Sequence, residues 1–327
     1  MQKILHICNL SVLLYTLLMT NITQKEYTVE SQNILHLTFD NFDEMVEHAK
    51  NLSCYCQYRF GTQAFGGHYD ICQHKNFQIA NAIFHDGLMF KGYPPKGTLS
   101  FIVIIDKQGS LSANKQILNK GEILILDDND EYEIAFSHHM QEGIISIKKE
   151  FVDAYFPYLN HMINKIYYDT NGILKNLIKH LENKKDCTDD DMQSWLIESL
   201  EALSLHKQKE ITKKLSKKEA LIFDIRDYII EYSKKNIHIG DLALKFGMSE
   251  KTMQTGFKKL FGYTPKKFMK LLKMNLARED IIENDGSKTI SEIAMKYGFG
   301  NFGLFSKEYK QIYGLLPSKT RGLQLCD

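Results

Sequence analysis

Five residues that could hold a metal ion or sense redox state fall within 21 positions: Cys54, Cys56, His68, Cys72 and His74. Alternate residues of a strand share a face. Cys54 and Cys56 would therefore present two thiols together, and Cys72 and His74 a thiol with an imidazole. Such a set could coordinate zinc or form a redox-sensing thiol pair. The spacing matches none of the usual Cys-x2-Cys sites, so buried thiols and surface histidines are the expected reading, with no metal and no cofactor. His138 and His139 are adjacent and would point to opposite faces of a strand, a poor chelate. A second polar set, Glu250, Lys251, Gln254, Thr255 and Lys258, shares one helical face, with Met253, Phe257 and Leu260 on the other. No GxxxxGK[ST] loop, HExxH, GxSxG or dinucleotide fingerprint occurs, and the expectation is that the chain is not an enzyme.

The elements around that second set are specific. Ser216 and Glu219 form a capping box, followed by Leu221, Ile222, Ile225, Tyr228, Ile229 and Tyr232 at helical spacing. Ala243 then precedes Gly247 by four residues. A small residue where two helices cross, then Gly at a tight positive-φ turn, is what a helix-turn-helix needs. Ser249 caps the second helix. The pattern repeats: Thr289 and Glu292 form another capping box, and Ala294 and Gly298 follow their counterparts by 51 residues. Gly262 and Pro265 recur as Gly314 and Pro317 at an offset of 52. Each Gly ends a second helix and each Pro opens the next. A helix over 266–283 joins the two units. Two such motifs in step are a far stronger signal than one.

With these residues in place the sequence resembles the AraC/XylS family of bacterial transcription regulators over about 216–321. The second half carries the match best, through Gly298, Phe299, Asn301, Phe305, Ser306, Lys307, Tyr309, Lys310, Gly314, Pro317 and Arg321. The chain departs from the family at Thr255, where Arg is usual, and at Gly303 and Leu304, where Ser and an aromatic or His are favoured. Lys273 stands for the linker-helix Arg and Thr320 for an aromatic. The resemblance implies two recognition helices entering successive major grooves about 34 Å apart. At the matched positions it implies base reading by Lys251, Gln254, Thr255, Phe302, Gly303, Ser306 and Lys307. Lys donates to guanine, Gln pairs with adenine and Ser or Thr serves either, while Gly303 only permits close approach. Lys245, Lys258, Asn301 and Lys310 are the expected phosphate partners.

Upstream, the period is that of strands. Residues 69–72, 77–84, 99–105, 121–126, 132–136 and 143–147 are expected strands, separated by turn-forming runs at 107–109, 119–121 and 127–130. Asp40 or Asn41 caps a short helix carrying Phe42, Met45, Val46 and Ala49. From 157 the period becomes helical, in two stripes: Ile173, Leu174, Leu177, Ile178, Leu181, then Met192, Trp195, Leu196, Leu200, Leu203. That helix pair is read as a dimer interface or as packing on its own domain. Residues 206–214 are polar and read as a linker.

The expected fold is α+β. It consists of an N-terminal antiparallel β-barrel-like domain of cupin or jelly-roll type, a helical connector, and an all-α tandem helix-turn-helix domain. Expected boundaries are 1–35 for an extension, 36–160 for a β-rich effector-binding domain, 161–215 for the connector and 216–327 for the DNA-binding domain.

The chain has 327 residues, 43% hydrophobic and 25% charged, which excludes wholesale disorder, collagen and a multi-span membrane protein. Six Cys are too sparse for a disulfide scaffold. The net charge of +1 is uneven: 217–327 carries 20 basic and 13 acidic residues, and the remainder 21 and 27. A basic end suits a polyanion. Residues 4–19 are apolar but short and interrupted, with no A-x-A-like cleavage site. An over-long gene start, with translation from Met19, is the first reading, ahead of a packed helix or export, and the expected location is cytoplasmic. The implied partners are promoter DNA, RNA polymerase, an unknown small-molecule effector and a second copy of the chain as a homodimer, in a role that leans to activation. The alternatives are a DNA-binding regulator without a ligand, and a metal or redox sensor using the N-terminal Cys and His residues.

Overall fold

The structure is a computed structural model and describes residues 34–51, 54–61, 65–183, 188–205 and 210–320. The apolar segment at 4–19 lies outside the described residues. Strands β1 (Ile34–Phe39), β3 (Gly67–Gln73), β4 (Phe77–Phe84), β11 (Met140–Lys148), β6 (Thr98–Lys107), β9 (Glu122–Asp127) and β12 (Ile166–Tyr168) form a seven-stranded sheet in that order. Strands β2 (Cys54–Arg59), β5 (Leu88–Gly92), β10 (Tyr132–Phe136), β7 (Leu111–Ala113) and β8 (Gln116–Ile117) form a five-stranded one. Every pairing is antiparallel. All six expected strands are present. The sheets do not close into a barrel; they stack as two layers with separate edges, so the barrel-like domain is a sandwich.

Period-2 alternation sorts the seven-stranded sheet into two apolar faces. Leu37, Phe39, Tyr69, Ile71, Ala80, Ala82, Phe84 and Ile102 face the other sheet, meeting Leu88, Phe90, Ile134 and Phe136. Ile79, Phe101, Val103, Ile123, Ile125, Ile145 and Ile147 face away. A sheet apolar on both sides needs a second cover. Helices α3 (Ile173–Asn183) and α4 (Asp189–Leu205) supply it with Leu174, Leu177, Ile178, Leu181, Leu196 and Leu200. This puts the helix pair on its own sheet. The short helices α1 (Phe42–Asn51) and α2 (Lys149–Tyr155) complete this half, and Asn41 caps α1 by accepting from the Glu44 amide.

The stretch expected as a helical connector is not helical throughout, since it also contributes β12. The polar stretch read as a linker is tied down where it is described. The Ile211 amide donates to the Ile166 carbonyl, and the Lys213 ammonium pairs with Glu122.

Gly143 of β11 lies directly under α3. A Cβ there would fall 1.7 Å from Ile178 Cδ1 and 2.7 Å from its Cγ1. Gly143→Val is expected to lower stability by about 1–3 kcal/mol through overpacking, despite the better strand propensity of Val. A urea midpoint equal to that of the wild type would contradict this close approach.

Candidate nucleic-acid interface

The C-terminal third is built from α5 (Lys217–Glu231), α6 (Ile239–Lys245), α7 (Glu250–Phe261), α8 (Pro265–Ile282), α9 (Ile290–Lys296), α10 (Phe302–Tyr313) and α11 (Pro317–Thr320). Both expected capping boxes form, Ser216 with Glu219 and Thr289 with Glu292. Ser249 caps α7 through the Thr252 amide, and Thr264 caps α8, with Pro265 opening it. Gly247 and Gly298 take φ of +62° and +85° at the two tight turns. Gly262 and Gly314 end α7 and α10 in the left-handed region. The repeat read from the sequence is thus a repeat in backbone conformation.

Helices α7 and α10 bury one side each. Met253, Phe257 and Leu260 are buried on the first, and Phe305, Tyr309 and Tyr313 on the second. On the other side of α7, Lys251, Gln254, Thr255 and Lys258 are exposed. On α10, Phe302, Gly303, Lys307 and Lys310 are exposed and Ser306 is half-buried. Lys251, Lys258, Lys307 and Lys310 have no ion-pair partner among the described residues. Two of the expected phosphate partners have other engagements. The Asn301 side-chain oxygen caps α10 by accepting from the Leu304 amide, which leaves its amide nitrogen for a ligand. Lys245 stacks its ammonium over the Tyr228 ring at 4.9 Å. Sequence reasoning did not single out Leu244 or Met295, large apolar side chains left exposed on α6 and α9; Leu304 of α10, already noted as a departure from the family, is exposed as well.

Helix α8 braces both units: Phe268 packs on Phe257 of α7 at 5.3 Å, Lys270 pairs with Glu308 of α10 at 2.5 Å, and Lys296 of α9 pairs with Asp280 at 2.5 Å. Its remaining side is covered by the N-terminal half, a contact that the sequence did not signal. Asn275 is buried and acts as a strand would. Its Oδ1 accepts from the Arg59 amide at 2.9 Å, and its Nδ2 donates to the Arg59 carbonyl at 2.8 Å. Arg278 pairs with Asp43 and lies over the rings of Phe42 and Tyr313. Phe60 stacks on Phe268 at 4.6 Å. Tyr263 donates to the Ser137 carbonyl at 2.7 Å, and Arg226 of α5 reaches Glu133 of β10 at 2.6 Å. Gly262 passes close under the sheet as well, since a Cβ there would meet the Ser137 Cβ at 2.5 Å. A cleft of about 490 Å³ opens beside α10, lined by Lys307, Lys310 and Gln311 on one side and Asp40 and Phe65 on the other.

A second feature lies between the sheets. A cavity of about 70 Å³ is lined mainly by Tyr69, Ala80, Phe90, Ile102, Leu126, Ile134 and Ile144, with Ser100, Ser146 and Glu142 as polar members. Ser100 and Ser146 satisfy each other at 2.8 Å. Glu142 Oε2 has no hydrogen-bond partner among the described residues. Burial pushes the Glu142 carboxyl up from 4.5 to about 7.

Of the residues first read as a metal or redox set, Cys72 is fully buried on the helix-covered face, and His74 stacks on Phe77 at 4.3 Å. Cys54 and Cys56 lie on β2, on the opposite sheet from His68, Cys72 and His74, and their side chains are outside the described residues. Among the described residues no helix is long and apolar enough to cross a membrane.

The match to known families falls on these same helices: a helix-turn-helix domain model covers residues 242–322. The probable thc operon regulatory protein of Rhodococcus erythropolis is 34% identical over 94 residues, 28% of each chain. The XylDLEGF operon transcriptional activator 1 of Pseudomonas putida is 24% identical over 216 residues, 61% of this chain and 64% of that one. The chain thus spans between about a quarter and just under two thirds of these relatives. Among solved structures, the AraC-like transcriptional activator CuxR aligns over 75% of this chain and 96% of its own at 11% identity and a TM-score of 0.42. ToxT from Vibrio cholerae aligns over 75% and 97% at 13% identity and a TM-score of 0.30.

Two outcomes test this geometry. Asn275→Ala removes both side-chain hydrogen bonds to the buried backbone of Arg59, and is expected to cost about 2–4 kcal/mol in urea unfolding. Glu142 has a folded pKa raised above its unfolded value, so its neutral form favours folding. Relative to Glu142→Gln, the wild type is therefore expected to lose stability as pH rises from about 4.5 through about 7. The ceiling is about 3 kcal/mol at about 1.36 per unit. Parallel stability curves for the two proteins over that range would remove the buried carboxyl from the account.

Proposed function

We propose that the chain is a member of the AraC/XylS family through its C-terminal helix-turn-helix domain, and that it is a sequence-specific transcription regulator that responds to a small effector. The observation that carries the reading is the pair of capped, glycine-ended helix-turn-helix units held on one linker helix, each with an exposed polar face on its second helix. Residues 216–327 act as the DNA-binding unit, 36–160 as the sensing unit and 161–215 as the connection. Lys251, Gln254, Thr255, Phe302, Gly303, Ser306 and Lys307 meet base edges. Lys245, Lys258, Asn301 and Lys310 meet phosphate. The regulator acts in the cytoplasm with RNA polymerase, as an activator and as a homodimer.

The cavity between the sheets is the effector's place in this reading. Its lining suits a small, largely apolar molecule with one hydrogen-bond donor for Glu142. Strand alternation supplies the coupling to DNA. Tyr132 and Ile134 of β10 line the cavity, while Glu133 between them holds Arg226 of α5. On β5, Phe90 lines the cavity, and its neighbour Lys91 reaches Glu133 at 3.6 Å. An effector that moves these strands changes the docking of the helical domain, a coupling between two sites.

Binding to promoter fragments selected from a random pool tests the reading. Gln254→Ala is expected to relax preference at one base position, at a cost of about 1–3 kcal/mol. Lys310→Ala is expected to weaken binding to all sequences and to lower the salt slope by about one. Unchanged affinity, preference and salt response in both variants would refute the contact assignment. Failure to select any sequence would refute the function.

A further inference from the structure

Three metal-ligating side chains converge on the helix-covered side of the seven-stranded sheet, on edge strand β1 and its neighbour β3. His36 of β1 stands opposite Asp70 of β3 in the register, and His68 lies two residues from Asp70 on the same face. His36 Nδ1 is 2.6 Å from Asp70 Oδ1, and His68 Nε2 is 2.7 Å from that same oxygen. The three ligand atoms lie within 4.8 Å of one another. Both imidazoles are about a third exposed, at 36% and 33%, while the carboxylate is 5% exposed.

The carboxylate is held from behind. Asn81 Nδ2 donates to its other oxygen at 3.1 Å, and Gln141 Nε2 donates to Asn81 Oδ1 at 3.0 Å. Burial would raise the Asp70 pKa, but hydrogen bonds from His68, His36 and Asn81 outweigh it and keep the carboxyl below its ordinary range. The outer oxygen is thereby left facing two imidazoles that solvent reaches.

We propose that His36, His68 and Asp70 form a binding site for a divalent first-row transition-metal ion, with zinc as the reference ion. Two imidazoles and one carboxylate are a donor set such ions use when a further coordination position stays open. A ligating carboxylate fixed by outer hydrogen bonds is the usual support for such a site. Donors about 2.0–2.1 Å from a tetrahedral zinc ion sit roughly 3.3 Å apart, so each imidazole must swing out by roughly 0.6 Å. Side chains a third exposed, on an edge strand and its neighbour, can do so. Three protein ligands and an open position favour an exchangeable ion over a structural one. The inference stands apart from the DNA-binding reading and survives its failure.

The test uses the full chain, stripped with a chelator and titrated with Zn²⁺ and, separately, Co²⁺. The wild type is expected to take up one equivalent more than the His36→Gln, His68→Gln double variant. Co²⁺ is expected to give visible d–d bands in the wild type that the double variant lacks. Because the Cys residues can take zinc, the readout is the difference between the two proteins. Equal stoichiometry and equal spectra would overturn the proposal. X-ray absorption on the unaltered chain, its cysteines blocked by alkylation and one equivalent of zinc added, keeps it falsifiable should the double variant misfold: nitrogen and oxygen neighbours at about 2.0–2.1 Å are expected, and no bound zinc would overturn the assignment.

Discussion

Helix α8 can only be buried if its polar side chains are satisfied by something outside the helical domain. Asn275 and Arg278 are 3% and 6% exposed, in the middle of a helix whose other buried residues are nearly all apolar. A buried amide or guanidinium without partners costs more than most single contacts contribute. The partners come from the N-terminal half: the backbone of Arg59 and the carboxylate of Asp43. The brace that holds the two helix-turn-helix units is therefore also the member that binds the two halves of the molecule. One apolar cluster runs without interruption from the space between the sheets into the helical domain. Neither half can be released without exposing α8.

The sheet side of that contact is constrained by the two-residue period of a strand. Every second residue of β10 and β5 points into the sandwich, and the residues between point at the helical domain. A displacement of the strand backbone moves both sets together. The carboxyl of Glu142, on the same inner face, is the one carboxyl among the residues lining a mainly apolar wall, and its burial makes the neutral form favourable up to about pH 7. A charge-sensitive group near a strand shared with the interdomain contact is what an effector-dependent equilibrium needs.

Most of the local structure was legible. The capping pairs Ser216 with Glu219 and Thr289 with Glu292 act over three residues, so their chemistry is visible in the order of residues alone. The glycines at 247, 262, 298 and 314 took the positive φ that their spacing implied. The six strand segments appeared where apolar runs met turn signals. The antiparallel, barrel-like layout was legible too, but not that its two sheets stay open, because closure depends on whether edge strands meet, a distance set by twist and strand number and not by any segment's composition. The polarity of 206–214 did not signal that Lys213 would be tied to the sheet through Glu122, because polarity marks solvent exposure only on average.

The sequence by itself determined the two capped helix-turn-helix units, their duplication and the polar faces of their second helices. Each of these follows from interactions between residues a turn apart. Tertiary structure alone decided that His68, His36 and Asp70 would come together, because a sheet register joins residues more than 30 positions apart. It also decided that Asn275 would bond to Arg59 across 216 residues and that Glu142 would be left in an apolar wall. Such contacts depend on which surfaces come together, and no short window of sequence carries that information.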